Sequence, residues 1–291
     1  MTEDRVVIVM ATYNNADIIE KTILSCMNQD YLNLHLVITD DESKDGTGDI
    51  IKEFKKTYQN IHLIEMEHCE RGIARKLAIE KAYDLDADYI YIIDSDMRLK
   101  DHFINECLLY FKNNPQIGAL VIPELPFSDY NNYFSKVKVF ERKIINNAGE
   151  SIGKNSIEAA RFWKVDEYKK TGGLNPKQIS FEEIQPTIRY IEMGGLIKRA
   201  TFTGVYHDEK YVTLENLLKK KTYYFSVMNK TLESEKDGVL KALSRWYFFR
   251  SVLYRPTNII EYIKHPLLTL GMFYMYLRLS FIGMKQIILK R

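Results

Sequence analysis

Residues 89–96 read YIYIIDSD: five apolar or aromatic residues run directly into Asp94, Ser95 and Asp96. A run this short and this apolar predicts a strand buried on both faces of a sheet. Two carboxylates at the end of a buried strand repel one another unless something positive lies between them. Oxygen-only ligands of this kind suit Mg2+ or Mn2+, which usually complete their shells with water and a ligand's phosphates. Taken alone, the pair is equally compatible with a helix cap and a solvated loop, since Asp101 opens a helical pattern just beyond it.

Similar runs flank it. Residues 5–12 (RVVIVMAT), 34–40 (LHLVITD), 61–66 (IHLIEM) and 117–123 (IGALVIP) are strand-like. Between them lie helical patterns at 47–54, 73–83 and 101–111, and an earlier one with Ile19, Ile23 and Met27 on one face and Asn15 as its expected cap. Strands alternating with helices predict an α/β fold with a single, mostly parallel, Rossmann-like sheet covered by helices. Ligands of such sheets bind beyond the carboxyl ends of the strands. Three polar clusters therefore share one expected crevice: Ala11-Thr12-Tyr13-Asn14, Asp40-Asp41 and Asp94-Ser95-Asp96. Farther on, the pattern predicts helices at 129–148, 182–193 and 214–228 and strands at 157–165 and 196–202, with TGGLNP (171–176) as a loop.

Other groups carry chemistry of their own. ITDDESKDGT (38–47) sets two acids before a turn in which Gly46 lets backbone approach a ligand closely. A carboxylate there can accept the N3–H of a uracil ring, or simply cap the turn. Arg71 and Arg75 lie one turn apart at a helix start, where their fork geometry suits phosphate and a surface ion pair equally. Glu182 and Glu183 stand where a helix opens, as a general base or as partners of the helix dipole. His207 is either structural or a metal ligand, and Lys219-Lys220-Lys221 either a solvated face or a phosphate contact.

Together these segments resemble glycosyltransferase family 2, of the GT-A fold. VIVMATYNN is similar to the family's opening strand and turn, with Ala11 where Pro is commoner. ITDDESKDGT resembles its V-D-D-G-S-x-D-G-T segment, with Glu42 in place of the usual Gly. ERGIARKLAIEKA and IIDSDM are similar to its arginine-bearing helix and its DxD. The resemblance implies that Ala11, Thr12, Tyr13 and Asn14 wall the nucleotide and that Asp40 binds uracil. It implies that Arg71 or Arg75 steadies the sugar-nucleotide, and that Asp94, Ser95 and Asp96 hold the metal-diphosphate, with His207 completing the metal shell or contacting the diphosphate. TGGLNPKQISFEEIQPTIRY resembles the family's acceptor stretch. That implies Glu183, or else Glu182, as the general base of an inverting transfer, Gly173 in a loop against the donor sugar, and Arg189 at the family's spacing beyond. The implied cofactor is Mg2+ or Mn2+, and the implied donor a UDP-sugar.

The 53 residues from 239 on change character. Nine Lys/Arg stand there against one acid, Glu261, so this segment carries +8 and the preceding 238 residues carry −6 of the chain's net +2. Residues 267–284 carry no formal charge but that of Arg278, at the lower edge of a spanning length. Flanking bases and the Trp246-Tyr247-Phe248-Phe249 cluster fit helices lying in a membrane interface better than a span. Expected domains are thus a catalytic one at 1–238, with a nucleotide-sugar half to about 125 and an acceptor half after it, and a membrane-associating helical appendage at 239–291. A lipid-linked or cell-surface glycan fits as acceptor, at the inner face of the cell membrane. Association between copies is compatible with the chain, and no nucleic-acid partner is expected. The acidic N-terminus is unlike a signal peptide, and three widely spaced cysteines suit a reducing compartment. No G-x-G-x-x-G follows the first strand, which argues against a dinucleotide cofactor. A nucleotidyltransferase would show a G-x-G-T-R loop where this chain has ATYNN, and the intact acidic pairs argue against a decayed scaffold.

Overall fold

The computed structural model describes residues 3–69, 71–153, 158–175, 184–232 and 247–289, with backbone only at 71, 152, 153, 224–232 and 286–289. It divides into two compact units.

The first unit comprises Met1–Leu125, Gly149–Lys177 and Phe181–His207. Its strands are β1 (Val6–Thr12), β2 (Leu34–Asp40), β3 (Ile61–Glu65), β4 (Tyr89–Ile92), β6 (Ile117–Val121), β8 (Arg161–Lys164) and β9 (Leu196–Arg199). They form one sheet in the order β3-β2-β1-β4-β8-β6-β9. β3, β2, β1 and β4 run parallel, β8 is antiparallel to both its neighbours, and β6 and β9 are parallel again. A small second sheet joins β5 (Met97–Leu99), β10 (Val205–Asp208) and β7 (Glu124–Phe127).

Alternation along the strands explains the absence of a polar face. Val6, Ile8 and Met10 point into one apolar cluster with Leu36, Ile38 and Tyr91, whereas Val7 and Val9 point into another with Val37, Ile90 and Ile92. Helices supply the remainder of both clusters: Ile19 and Ile23 of α1 (Ile19–Met27) and Ile51 of α2 (Thr47–Thr57) on one side, Ala78 and Ala82 of α3 (Arg71–Asp84) on the other. Phe103 of α4 (Phe103–Asn113) and Phe162 close rings over Tyr91 at 4.9 and 5.2 Å between centroids. Strands fully covered in this way bury every side chain, so they are written as continuous apolar runs.

The second unit comprises Pro126–Ala148, Gln178–Ser180 and Asp208–Arg291. It gathers α5 (Tyr133–Asn146) with the C-terminal helices α9 (Leu214–Leu232), α10 (Pro256–Lys264) and α11 (Pro266–Leu289), a grouping that differs from a boundary at 238. The reason is packing: Val137, Phe140 and Ile144 of α5 share one core with Met272, Met275, Tyr276 and Leu279 of α11. Inside it Glu141 pairs with Lys138 at 2.6 Å and with Arg250 at 3.6 Å, and accepts the Tyr276 hydroxyl at 2.8 Å. Burial alone would raise this carboxyl, but Lys138, Arg250 and Arg142 outweigh it and hold it down to about 2. The lysine triplet splits. Lys219 is exposed and paired with Glu215, while burial and the neighbouring cations push Lys221 down to about 7. Cys26 and Cys107 are buried free thiols, the former raised to about 12 by burial. In the first unit, α6 (Gly149–Gly153), α7 (Val165–Lys170) and α8 (Ile184–Glu192) complete the helices.

Candidate active site

The register of the parallel strands decides what meets what. Thr12 pairs with Asp40, so β1 and β2 end together, while β4 ends at Ile92, level with Val9, and the chain from Asp94 to Asp96 continues past it toward the same edge. The three polar clusters therefore lie along one carboxyl edge.

At β2, Asp40 is buried and its Oδ1 accepts the Ser43 hydroxyl at 2.5 Å and the Ser43 N–H at 3.3 Å. Its other oxygen lies under the start of α2, where a Cβ on Gly48 would meet it at 2.9 Å. Gly48, rather than Gly46, is thus the close-approach glycine. Gly46 has open space around it and supplies the left-handed turn (φ 94°) that starts the helix. Glu42 also sits at positive φ, 63°, which accounts for the glycine usual at that place. Its carboxylate compensates by pairing with Lys44 at 2.7 Å and accepting the His68 N–H at 3.2 Å. Asp45 closes the turn by accepting the N–H groups of Ala16 and Thr47 and the Thr47 hydroxyl. These bonds outweigh the effect of burial and hold its carboxyl below the usual range.

Asp41 is buried beside Asp40. It accepts the Cys69 N–H at 2.8 Å and lies 3.0 Å from His68 Nδ1. The His68 ring stacks on half-exposed Tyr13 with centroids 4.5 Å apart. An open cleft of about 450 Å³ is lined by Asp40, Glu42, Ser43, Lys44, Glu65, Met66 and Glu67. Asn14, at φ 50°, accepts the Lys44 N–H at 2.8 Å and so braces the two loops. Asn15 does not cap α1 with its side chain. The amide donates to Ser95 Oγ at 2.9 Å and Thr12 Oγ1 at 3.3 Å, tying the β1 and β4 ends together, and only its carbonyl meets the helix start.

Beyond β4 the three residues part. Asp94 forms an ion pair with Arg75, which is 1% exposed. Ser95 is buried, with its carbonyl accepting the Thr22 hydroxyl at 2.9 Å. Asp96 faces His207, Oδ1 to Nε2 at 3.5 Å, and His207 Nδ1 lies 2.9 Å from Glu124 Oε2. The strand pairing His207↔Met97 brings the histidine there from more than a hundred residues downstream. Glu124 is buried, and its Oε1 accepts the Ala159 N–H at 2.6 Å. A carboxylate stands at each nitrogen of His207, yet a neutral imidazole can donate to only one of them. The arrangement suits an imidazolium between two acids, and equally a carboxylate–histidine pair that offers Nε2 to a cation.

Among the described residues no three His, Cys, Asp or Glu side chains converge into a ready metal cage. The donor set fits a divalent cation taken up with a ligand's phosphates: Asp96 and His207 Nε2 facing each other, Asp94 adjacent and balanced by Arg75. The loop at Gly172 and Gly173, φ 75° and 70°, is held by Arg189, whose Nε donates to the Thr171 carbonyl at 2.6 Å and whose NH2 donates to the Gly173 carbonyl. Thr12 is buried and Ala11 half-buried at the end of β1. Glu182, Glu183 and the Arg71 side chain lie outside the described residues. Sequence reasoning missed Glu124 and His68. Both stand just past the carboxyl ends of strands, which was the one signal available.

The sequence profile of "Glycosyl transferase family 2" matches residues 7–165. An uncharacterized glycosyltransferase of Haemophilus influenzae is 34% identical over 276 residues, covering 88% of this chain and 97% of that protein. WfaP of Escherichia coli, a UDP-Glc:alpha-D-GlcNAc-diphosphoundecaprenol beta-1,3-glucosyltransferase, is 33% identical over 128 residues, covering 44% of this chain and 45% of the other. The matches to several other curated relatives span only 22%, 36% and 26% of those proteins. Among solved structures, the mannosyltransferase PcManGT from Pyrobaculum calidifontis, in complex with GDP-Man and Mn2+, superposes with a TM-score of 0.60 at 15% identity, over 97% of this chain and 88% of that one.

Proposed function

Because the chain belongs to glycosyltransferase family 2, we propose that it transfers a sugar with inversion from a UDP-sugar to a hydroxyl of a lipid-linked or cell-surface glycan, at the inner face of a membrane. The observation that carries this reading is the Asp96–His207–Glu124 chain at the carboxyl edge of β4, beside the Arg75–Asp94 pair. Asp96 and His207 would hold Mg2+ or Mn2+. When bound, that ion supplies positive charge to the donor's diphosphate. Arg75 pairs with Asp94 and adds a guanidinium near the same edge. Tyr13 offers a ring for the base to stack on, and Asp40 or Asp41 an acceptor for its N3–H. Glu183, with Glu182 as the other candidate, takes the proton of the acceptor hydroxyl as that oxygen bonds to the anomeric carbon. The bond from that carbon to the diphosphate breaks as the new one forms. The activity of WfaP supports a UDP-sugar donor and a lipid-diphosphate acceptor.

A panel of nucleotide sugars assayed with and without Mn2+ tests the reading. Turnover of a UDP-sugar that needs the ion, lost in Asp96→Ala, is expected, with Glu183→Gln inactive yet still binding donor. Metal-independent turnover in Asp96→Ala would sink the metal assignment, and an inactive Glu182→Gln beside an active Glu183→Gln would move the base by one residue.

A further inference from the structure

The C-terminal helices present an apolar face to solvent that the catalytic reading does not use. On α11 the exposed side chains are Leu267, Leu270, Tyr274, Leu277, Phe281 and Met284, spaced alternately by three and four residues. That spacing draws one stripe along the helix, about 26 Å long at ~1.5 Å per residue. On α10, Ile259, Ile260 and Ile263 are exposed as well, Ile263 by 76%. Phe249 and Tyr254, in the turns before α10, are exposed by 66% and 64%. Soluble surfaces scatter such residues singly, and a contiguous set marks an interaction site.

The opposite side of α11 is committed to the protein. Met272, Met275, Tyr276 and Leu279 are nearly inaccessible, and Tyr276 reaches buried Glu141. Although Pro266–Lys285 is long and apolar enough to cross a membrane, a third of it is buried against its own unit. A helix docked along its length in this way lies flat, with one face free.

Charge selects the occupant. Within 247–289 the cations are Arg250, Arg255, Lys264, Arg278 and Lys285, against the single acid Glu261. Glu261 is itself engaged by Lys143 at 3.3 Å and Lys264 at 3.2 Å. Two copies joined through this face would oppose like charges, whereas an anionic bilayer would match them. We infer that α10 and α11 form an in-plane docking face for an anionic lipid surface. Its apolar stripe enters the acyl boundary, and Lys264, Arg278 and Lys285 meet the headgroups. This gives a surface to the membrane contact in the functional reading above, and its test reads lipid binding separately from transfer.

The full-length protein is floated with neutral phosphatidylcholine vesicles and with vesicles also containing phosphatidylglycerol. Binding to the anionic vesicles only, falling about fivefold for each of Lys264→Gln and Lys285→Gln, is expected. Leu270→Glu/Leu277→Glu should abolish flotation while retaining the wild-type circular dichroism spectrum and UDP binding, because both side chains already face water. Unchanged flotation of that double variant overturns the proposal. So does a wild-type dimer that the double variant turns into a monomer, since a second copy would then be the occupant. Carbonate-resistant insertion of the wild type overturns the in-plane orientation in favour of a span. Loss of sugar transfer with flotation intact leaves the docking face standing and refutes only the catalytic reading.

Discussion

Buried Glu124 joins two segments: one oxygen accepts the Ala159 N–H and the other meets His207. Its Oε2 accepts from Nδ1 and thereby leaves Nε2 to face Asp96. In Glu124→Gln the amide can donate as well as accept, so the ring is no longer held in one tautomer. We expect Mn2+ affinity in the presence of UDP to fall about 10–100-fold, read by electron paramagnetic resonance titration. Affinity within twofold of wild type would mean that Glu124 is merely a strand-end acid. His68 is the other residue with a role that sequence could not display. It becomes visible only when its ring is found against Tyr13, whereas Asp40, Asp94 and Asp96 announce themselves by standing at the ends of apolar runs.

At the level of elements, what was legible follows from what each strand buries. β1, β2 and β4 hide most of both faces, so their sequences are apolar but for Thr12, His35, Thr39 and Asp40. β8 departs from that pattern, with Arg161 and Lys164 at its ends, and nothing local in Arg161–Lys164 encodes that it runs antiparallel to β4 and β6. Direction is set by the connections, not by the residues. Likewise α5 reads as one more amphipathic helix, and only its partners assign it to the C-terminal core. Gly271 is where α11 comes closest to α5: a Cβ there would meet Val137 Cγ2 at 2.7 Å and would also strike the Tyr133 hydroxyl. Gly271→Leu should destabilise the protein by about 1–3 kcal/mol through overpacking, measured by urea denaturation. A neutral result would mean that the two helices separate freely at this point.

For the molecule as a whole, the strongest pH lever among the described acids is Glu141. The carboxyl of Glu141 sits at about 2 when folded, against an ordinary 4.5. Its folded value is depressed, so its stabilisation is present above pH 4.5 and is lost as pH falls from there toward 2. The term is on the order of 3 kcal/mol. Glu141→Gln should be less stable than wild type at neutral pH, because Lys138 and Arg250 lose their counter-charge, and that gap should close as pH falls from about 5 to about 2. Parallel stability–pH curves for the two proteins would refute the assignment. The basic, acid-poor composition of the C-terminal segment was legible at this scale without any structure, but the side of α11 left free was not. That depends on Met272, Met275, Tyr276 and Leu279 facing inward.

The ion pair of Arg75 with Asp94 also bears on how the protein survives between turnovers. A carboxylate cluster meant for a cation would ordinarily leave its fold dependent on that cation, as small metal-nucleated domains are. Here a buried guanidinium already stands as internal ballast for one of the carboxylates, and Asp96 has His207 opposite it. We therefore expect folding to be independent of the proposed cation. Thermal melting in excess EDTA should match melting in buffer alone, and the ion should raise the transition only when UDP is present to hold it.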